Sequence, residues 1–438
     1  MCRKTIFITL KKLVLVFSLS VLTACGSGSS ENANVQPQQQ EQEQEQEQEQ
    51  EQEQEQEQEQ EQETSSIFPD YNKNPLSPEL SGMEKTAQEI ASEIKLGWNI
   101  GNTMEAIGGE TAWGNPEVSQ ALIEKVKQSG FDAVRIPIAW DQYSNQDTAE
   151  ISAQWLDRVK QVVQLCVEQD LYVLVNIHWD GGWLENNVTE TKQQENMAKQ
   201  TAFWQQIASH LRDFDQHVLF ASANEPHVET EQQMEVLLSY HQAFIDAVRS
   251  TGGKNAYRVM VVQGPKTDIE LTNQLFLQMP SDTQVNRIMA EVHFYSPYNF
   301  TLMQTPEDWG NPFYYWGSEN HAADDIAHNP TWGEEAHVKE MFDLMRTQFV
   351  DLGIPVILGE FSAMRRTQLT GENLSLHQAS RNYYHQFIVE QALEYGLIPF
   401  YWDNGSTDNF NSAIFDRSTN QVFDQMTLDA LLQGTVQN

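Results

Sequence analysis

Val218-Leu-Phe-Ala-Ser-Ala-Asn-Glu-Pro226 is a short apolar run that ends in a carboxylate, and Ile354-Pro-Val-Ile-Leu-Gly-Glu-Phe361 repeats the pattern later in the chain. A brief apolar run bounded by turn residues reads as a strand buried on both faces, the kind found in parallel sheets. An acid just past such a strand costs free energy to desolvate unless a partner or a reaction uses it. Two of them, Glu225 and Glu360, suit the acid/base and nucleophile pair that cuts a glycosidic bond with retention. The bland alternative is two structural carboxylates ion-paired inside a barrel. Their neighbours decide between the two.

Outward from these runs the same pattern recurs. Strands are expected at Leu96–Ile100, Ala133–Ile138, Tyr172–Ile177, Val218–Ala221, Arg258–Val262, Ile288–His293, Pro355–Leu358 and Ile398–Tyr401. Amphipathic stretches lie between them, at 118–129, 155–169, 195–214, 231–250, 335–352 and 378–395. Parallel strands need crossovers of a dozen or more residues, and this spacing supplies them. The expected fold is α/β, a (β/α)8 TIM barrel. An open doubly wound sheet is the competitor, weakened because no GxGxxG follows the first strand. In a β/α barrel the chemistry sits where the strands end. Here those ends carry Asn99-Ile-Gly-Asn102, Arg135, His178-Trp179-Asp180, Asn224-Glu225-Pro226, His293-Phe294-Tyr295, Glu360 and Trp402-Asp403-Asn404. One polar strand end would mean little; seven on one face define a site.

The N-terminus reads as a targeting segment. Arg3, Lys4, Lys11 and Lys12 precede an apolar stretch, Leu13 to Leu22, too short for a span of about 20 residues. Leu22-Thr23-Ala24-Cys25 looks like a bacterial lipobox, which makes residues 1–24 a lipoprotein signal peptide and Cys25 the lipidated residue. From Gln40 to Glu63 the chain is almost pure alternating Gln and Glu, with no apolar residue to build a core. Residues 25–66 are therefore a disordered low-complexity linker, and 67–438 one catalytic domain. Cleavage removes Cys2 and lipidation uses Cys25, so only Cys166 remains, at helical spacing among apolar residues, as a core side chain. From Thr64 onward 50 acidic residues face 22 basic ones. That balance argues against a nucleic-acid partner. It suits a neutral or cationic ligand and a soluble domain, expected to be a monomer, on a lipid tether.

The strand-end motifs resemble glycoside hydrolase family 5, retaining endo-glycanases on a (β/α)8 barrel. Leu96-Gly-Trp-Asn-Ile-Gly-Asn-Thr103, Trp113-Gly-Asn-Pro116, Val134-Arg-Ile-Pro-Ile-Ala-Trp140, Ile177-His-Trp-Asp180, Asn224-Glu-Pro226, His293-Phe-Tyr295 and Leu358-Gly-Glu-Phe361 fall in the family's order. The resemblance implies Glu225 as acid/base and Glu360 as nucleophile. It implies Asn224 on the sugar 2-hydroxyl, Arg135 and Tyr295 on the nucleophile, His178 and His293 lining the cleavage subsite, and Trp402 as the platform beneath that sugar. Asn102 and Trp113, from two of the motifs, join the substrate-binding set. Trp179 stands where relatives often carry a second histidine, and no role beyond lining follows for it.

The chemistry requires the same cast. A glycosidic oxygen leaves only when protonated, so Glu225 is expected to hold a proton near neutral pH on a raised pKa, while Glu360 stays ionised. No HExxH or paired His spacing is present, so neither metal nor cofactor is expected. The aromatic-rich stretch from Tyr295 to Trp316 is expected to wall the subsites, with Trp98, Trp113, Trp140, Trp183 and Trp402 extending the platform. The motif context looks like the family's endo-β-1,4-glucanases acting on cellulose or mixed-linkage β-glucan. β-Mannanase or xyloglucanase activity, or a non-catalytic surface glycan-binding lipoprotein, are the alternatives. The anchor and spacer place the domain on the outer membrane facing outward, with the periplasm or secretion as alternatives.

Overall fold

The computed structural model describes residues 67–436. The signal peptide, Cys25 and the Gln/Glu linker lie outside the described residues. Eight parallel strands close a barrel in sequence order: β1 Gly97–Ile100, β2 Ala133–Ile136, β3 Tyr172–Asn176, β4 Val218–Ala221, β5 Met260–Gln263, β6 Ile288–His293, β7 Val356–Phe361 and β8 Leu397–Asp403. β8 returns to β1, with Gly97 opposite Phe400 and Ile100 opposite Asp403. This is the (β/α)8 barrel that the strand spacing predicts.

Side chains alternate along each strand, so the barrel has two cores. Val134 and Ile136, Val173 and Val175, Val356 and Leu358 point outward onto the surrounding helices. Those helices meet them with regular stripes; Ala153–Val167 buries Trp155, Val159, Val162, Val163 and Cys166. Cys166 is fully buried, and burial pushes its thiol well up, so it is an inert core residue. The inward set begins apolar, with Ala133, Leu174, Leu219, Val261, Met289, Ile357, Ile398 and Phe400 in one cluster. Ala87, Ile90 and Ile94 join that cluster. Ala87 and Ile90 come from the short helix Ala87–Glu93, which opens with a capping box between Thr86 and Glu89, and Ile94 is its C-cap.

Toward the strand C-termini the inward positions turn polar: Asn99, Arg135, Asn176, Gln263, Glu291 and His293. The same alternation that fills the floor with apolar groups thus stacks the hydrogen-bonding groups at the opposite end. Asp403 clasps the seam between β8 and β1. It accepts from the Trp98 indole at 3.1 Å and from the Ile414 N–H at 2.9 Å, and Arg417 ties its main chain to the Gly101 carbonyl. Predicted and observed strands coincide for β4 and β6; β7 and β8 run further toward their C-termini than predicted, because Glu360 and Trp402 are strand residues rather than loop residues.

Candidate active site

Glu360 owes its place to a bulge. Val292 of β6 pairs with Leu358, but His293 pairs with Glu360, so Gly359 is an extra residue in β7. A Cβ on Gly359 would lie 2.1 Å from a Glu291 carboxylate oxygen and 2.9 Å from His293 Nε2. Only glycine lets the β7 backbone pass so close to β6. The extra residue turns the following side chain into the barrel mouth. There Glu360 Oε1 accepts from Arg135 Nη1 at 2.8 Å, and Oε2 accepts from the Tyr295 hydroxyl at 2.9 Å.

Arg135 is the hub of the site. Its buried guanidinium donates to Glu360, to Asn99 Oδ1 at 3.0 Å and to Asn224 Oδ1 at 2.8 Å, and its Nε lies 2.9 Å from Glu291. Burial alone would push Arg135 down; Glu291 and Glu360 more than reverse this, so the cation persists. Burial would likewise raise Glu291, but Arg135 and His293 hold it below the ordinary carboxylate range. Gln263 also donates to it at 2.5 Å.

His293 stands between three carboxyl groups. Nδ1 lies 2.7 Å from Glu225 Oε1 and 3.8 Å from Glu360 Oε2, and Nε2 lies 3.2 Å from Glu291 Oε1. Burial opposes its charge, yet Glu360, Glu225 and Glu291 together push it up to about 9. The ring therefore carries protons on both nitrogens at neutral pH and donates to both Glu225 and Glu291.

This imidazolium corrects one expectation. Glu225 does not sit at a raised pKa in the open site. Burial pushes it up, but the hydrogen bond and charge of His293, helped by Arg135, hold it below the usual range. Glu360 moves the other way, raised by burial and by the nearby Glu225 charge against the pull of His293 and Arg135. One oxygen of Glu225, one of Glu360 and a nitrogen of His293 all lie within 4.8 Å of one another. The same three groups converge as metal ligands would, but Arg135 and Tyr295 already donate to both oxygens of Glu360.

The remaining predicted residues divide. Asn224 and His178 are buried at the barrel mouth; the His178 ring stacks on Trp402, centroids 5.8 Å apart and planes 7° apart. Burial, Arg135 and His293 keep His178 well below its ordinary pKa, so it is neutral. Tyr295 is held well above its own, first by burial and then by Glu360, and remains a phenol donor. Asn102 has a left-handed backbone, φ 57°, fixed by its N–H to Glu105 and its carbonyl to Asn115. Trp113 is exposed. Trp98 and Trp140 are core residues, not platform: both are fully buried, and Trp140 donates to the Asn176 carbonyl. The aromatic stretch is likewise mostly core. Phe300, Tyr315 and Trp316 are buried, Trp316 against Tyr384 and Phe387, while Tyr298 and Trp309 stay exposed and touch each other at 6.0 Å. Sequence reasoning named Asn99 only as a strand end, gave it no role, and missed Gln263 and Glu291. Each has an inward position in a strand as its signal, legible only once the register is known. It also missed Glu185, whose carboxylate accepts the Glu225 backbone N–H at 2.7 Å.

Comparison with known proteins agrees with this geometry. The family model for cellulase (glycosyl hydrolase family 5) matches residues 99–408, which span β1 to the loop after β8. The chain belongs to glycoside hydrolase family 5. This family 5 hydrolase is 36% identical to a xyloglucan-specific endo-β-1,4-glucanase of Bacteroides ovatus over 82% of its own length and 72% of that protein's. A xyloglucan-specific β-1,4-glucanase from a ruminal metagenomic library, solved in complex with XXLG, superposes with a TM-score of 0.75 at 38% identity, covering 80% of this chain and 96% of that one. A broad-specificity endoglucanase of Bacteroides salanitronis superposes with a TM-score of 0.72 at 32% identity, covering 84% and 99%.

Proposed function

We propose that this family 5 hydrolase is a retaining endo-β-1,4-glucanase that cuts within β-1,4-glucan chains, with branched xyloglucan among its substrates. The carrying observation is the closeness of Glu225 and Glu360, within 4.8 Å oxygen to oxygen. An inverting enzyme needs its carboxyl groups roughly 6.5–9.5 Å apart to admit a water; a retaining one needs about 5–5.5 Å.

The geometry runs the reaction as follows. Glu360, bonded to Arg135 and Tyr295, attacks the anomeric carbon, and Glu225 protonates the departing glycosidic oxygen. Glu225 keeps its side chain 42% exposed to the cleft. A bound sugar strips that water, strengthens the burial contribution and raises the carboxyl toward its role as acid. Its Oε1 is held by His293, leaving the second oxygen for the substrate. Once the glycosyl–Glu360 ester forms, Glu225 is a carboxylate with the His293 cation beside it, the form that takes a proton from the incoming water. The water attacks the anomeric carbon, the ester bond breaks, and Glu360 leaves as carboxylate. Asn224 offers an amide N–H to the 2-hydroxyl, and Trp402 a face to the sugar ring.

The substrate order shifts from the expectation of unbranched glucan first. Two of the three relatives above are named for xyloglucan, and a cavity of about 330 Å³ opens beside Glu225, walled by Lys266, Thr267, Tyr298 and Trp332. The test is hydrolysis of xyloglucan, lichenan, carboxymethylcellulose and mannan with product sizing. Internal cuts in xyloglucan and in at least one unbranched β-glucan support the reading; release of reducing ends from mannan alone overturns it. The lipid anchor is a separate proposal: Cys25 carries the lipid and the Gln/Glu spacer holds the domain off an outer membrane. Failure of Cys25 to take labelled palmitate would refute it.

A further inference from the structure

Asn224 and Glu225 must face one sugar together, and a residue from a different loop holds the peptide that joins them. Glu185 opens the single helical turn Glu185–Asn187 after β3 and is 6% exposed. Its Oε1 accepts the N–H of the Asn224–Glu225 peptide at 2.7 Å. Its own carbonyl accepts the His227 N–H at 2.9 Å. The loop after β3 is thus sewn to the loop after β4 on either side of the acid.

The environment makes this carboxylate costly to keep. Burial pushes Glu185 up to about 7, against the Glu225 N–H, while the charges of Glu225 from the β4 loop and Glu360 from β7 push it further the same way. A buried acid held against like charge beside a reacting group is a mark of use rather than of packing. The bond from the Glu225 N–H shows the use, because that N–H belongs to the peptide joining Asn224 to Glu225. The Asn224 Oδ1 takes the Arg135 donor at 2.8 Å, which leaves the amide nitrogen for the cleft. Arg135 thus fixes the amide, and Glu185 fixes the backbone that carries both side chains.

We propose that Glu185 is a positioning residue of the hydrolysis, holding the Asn224–Glu225 peptide so that the Asn224 amide and the acid address the same sugar. This rests on the function proposed above, and the test separates the two. Glu185→Ala, Glu185→Gln, Asn224→Ala and the Glu185→Ala double variant are assayed on an aryl β-cellobioside and on a soluble β-1,4-glucan, with melting temperatures recorded. Glu185→Ala should lower kcat by about 10- to 100-fold, the order a misplaced reacting group costs, with KM changed by less than about threefold. Glu185→Gln keeps the acceptor oxygen for the peptide N–H and should restore most of that loss; it also serves the cycle if Glu185→Ala does not fold. In the Asn224→Ala background Glu185→Ala should cost less than in the wild type, because one of the two groups it places is already gone. A folded Glu185→Ala with wild-type kcat overturns the proposal, as do losses that simply multiply in the double variant. A wild-type protein that hydrolyses neither substrate sinks the function reading instead.

Discussion

At the scale of single residues, the site depends on donors that cannot be exchanged for simpler ones. Arg135 reaches Asn99, Asn224, Glu291 and Glu360 with one planar group. A lysine there offers a point charge and no fork. Arg135→Lys should therefore lower kcat/KM by about 100-fold or more, the scale on which preorganised donors act, in steady-state assays on soluble glucan. Tyr295→Phe removes one donor that favours ionised Glu360. Glu360 should then need a higher pH to ionise, so the acidic limb of kcat/KM moves up; an unmoved limb would mean the phenol does not act on the nucleophile. The His293 cation makes a further prediction about Glu225. In the free enzyme that cation holds the acid low, whereas a covered site loses the opposing water. The basic limb of kcat, which reports the complex, should lie at higher pH than that of kcat/KM, which reports the free enzyme. Coincident limbs would remove burial by substrate as the source of the acid.

At the scale of elements, one bulge carries much of the argument. Gly359→Ala brings a methyl to 2.1 Å from the Glu291 carboxylate. It should cost about 1–3 kcal/mol by overpacking and should abolish most activity by moving Glu360; a melt and an assay read the two losses separately. The bulge also shows where the sequence stops being readable. Apolar runs located all eight strands, and polar residues at their ends picked out Glu225, Glu360, Arg135, His293 and Tyr295, which the structure brings together. The pairing offset that places Glu360 inside β7 has no local signal, since Gly359 takes its meaning from Glu291 across the strand. The helix Ala87–Glu93 escaped detection because seven residues are too few to display a period. Aromatics misled for a related reason: Trp316 and Trp309 look alike in sequence, and only packing buries one and leaves the other 63% exposed. Glu185 and Glu291 were silent because each acts through a neighbour brought up by another strand.

At the scale of the whole molecule, the barrel concentrates costly charge at one end and leaves the other end apolar. Glu105, Asp180 and Glu185 are each pushed up to about 7, burial being the first cause in every case. Unfolded, such groups titrate near 4. Between those values each of these carboxyls holds a proton in the folded chain that it has lost in the unfolded one, so its contribution to stability is full below the window and is lost as pH rises toward 7. The buried histidines His178, His241, His377 and His385 are held low and act in the opposite sense. Glu105→Gln removes one carboxyl contribution alone, so its melting temperature should gain on that of the wild type as pH rises toward 7; a difference that does not change with pH would show that this carboxyl does not titrate there. All of this serves one claim, that Glu225 and Glu360 act in two displacements on a single anomeric carbon. Proton NMR of the first products from an unbranched β-1,4-gluco-oligosaccharide tests it most directly. The account predicts that the new reducing end appears as the β-anomer and only later mutarotates; an initial α-anomer would contradict it.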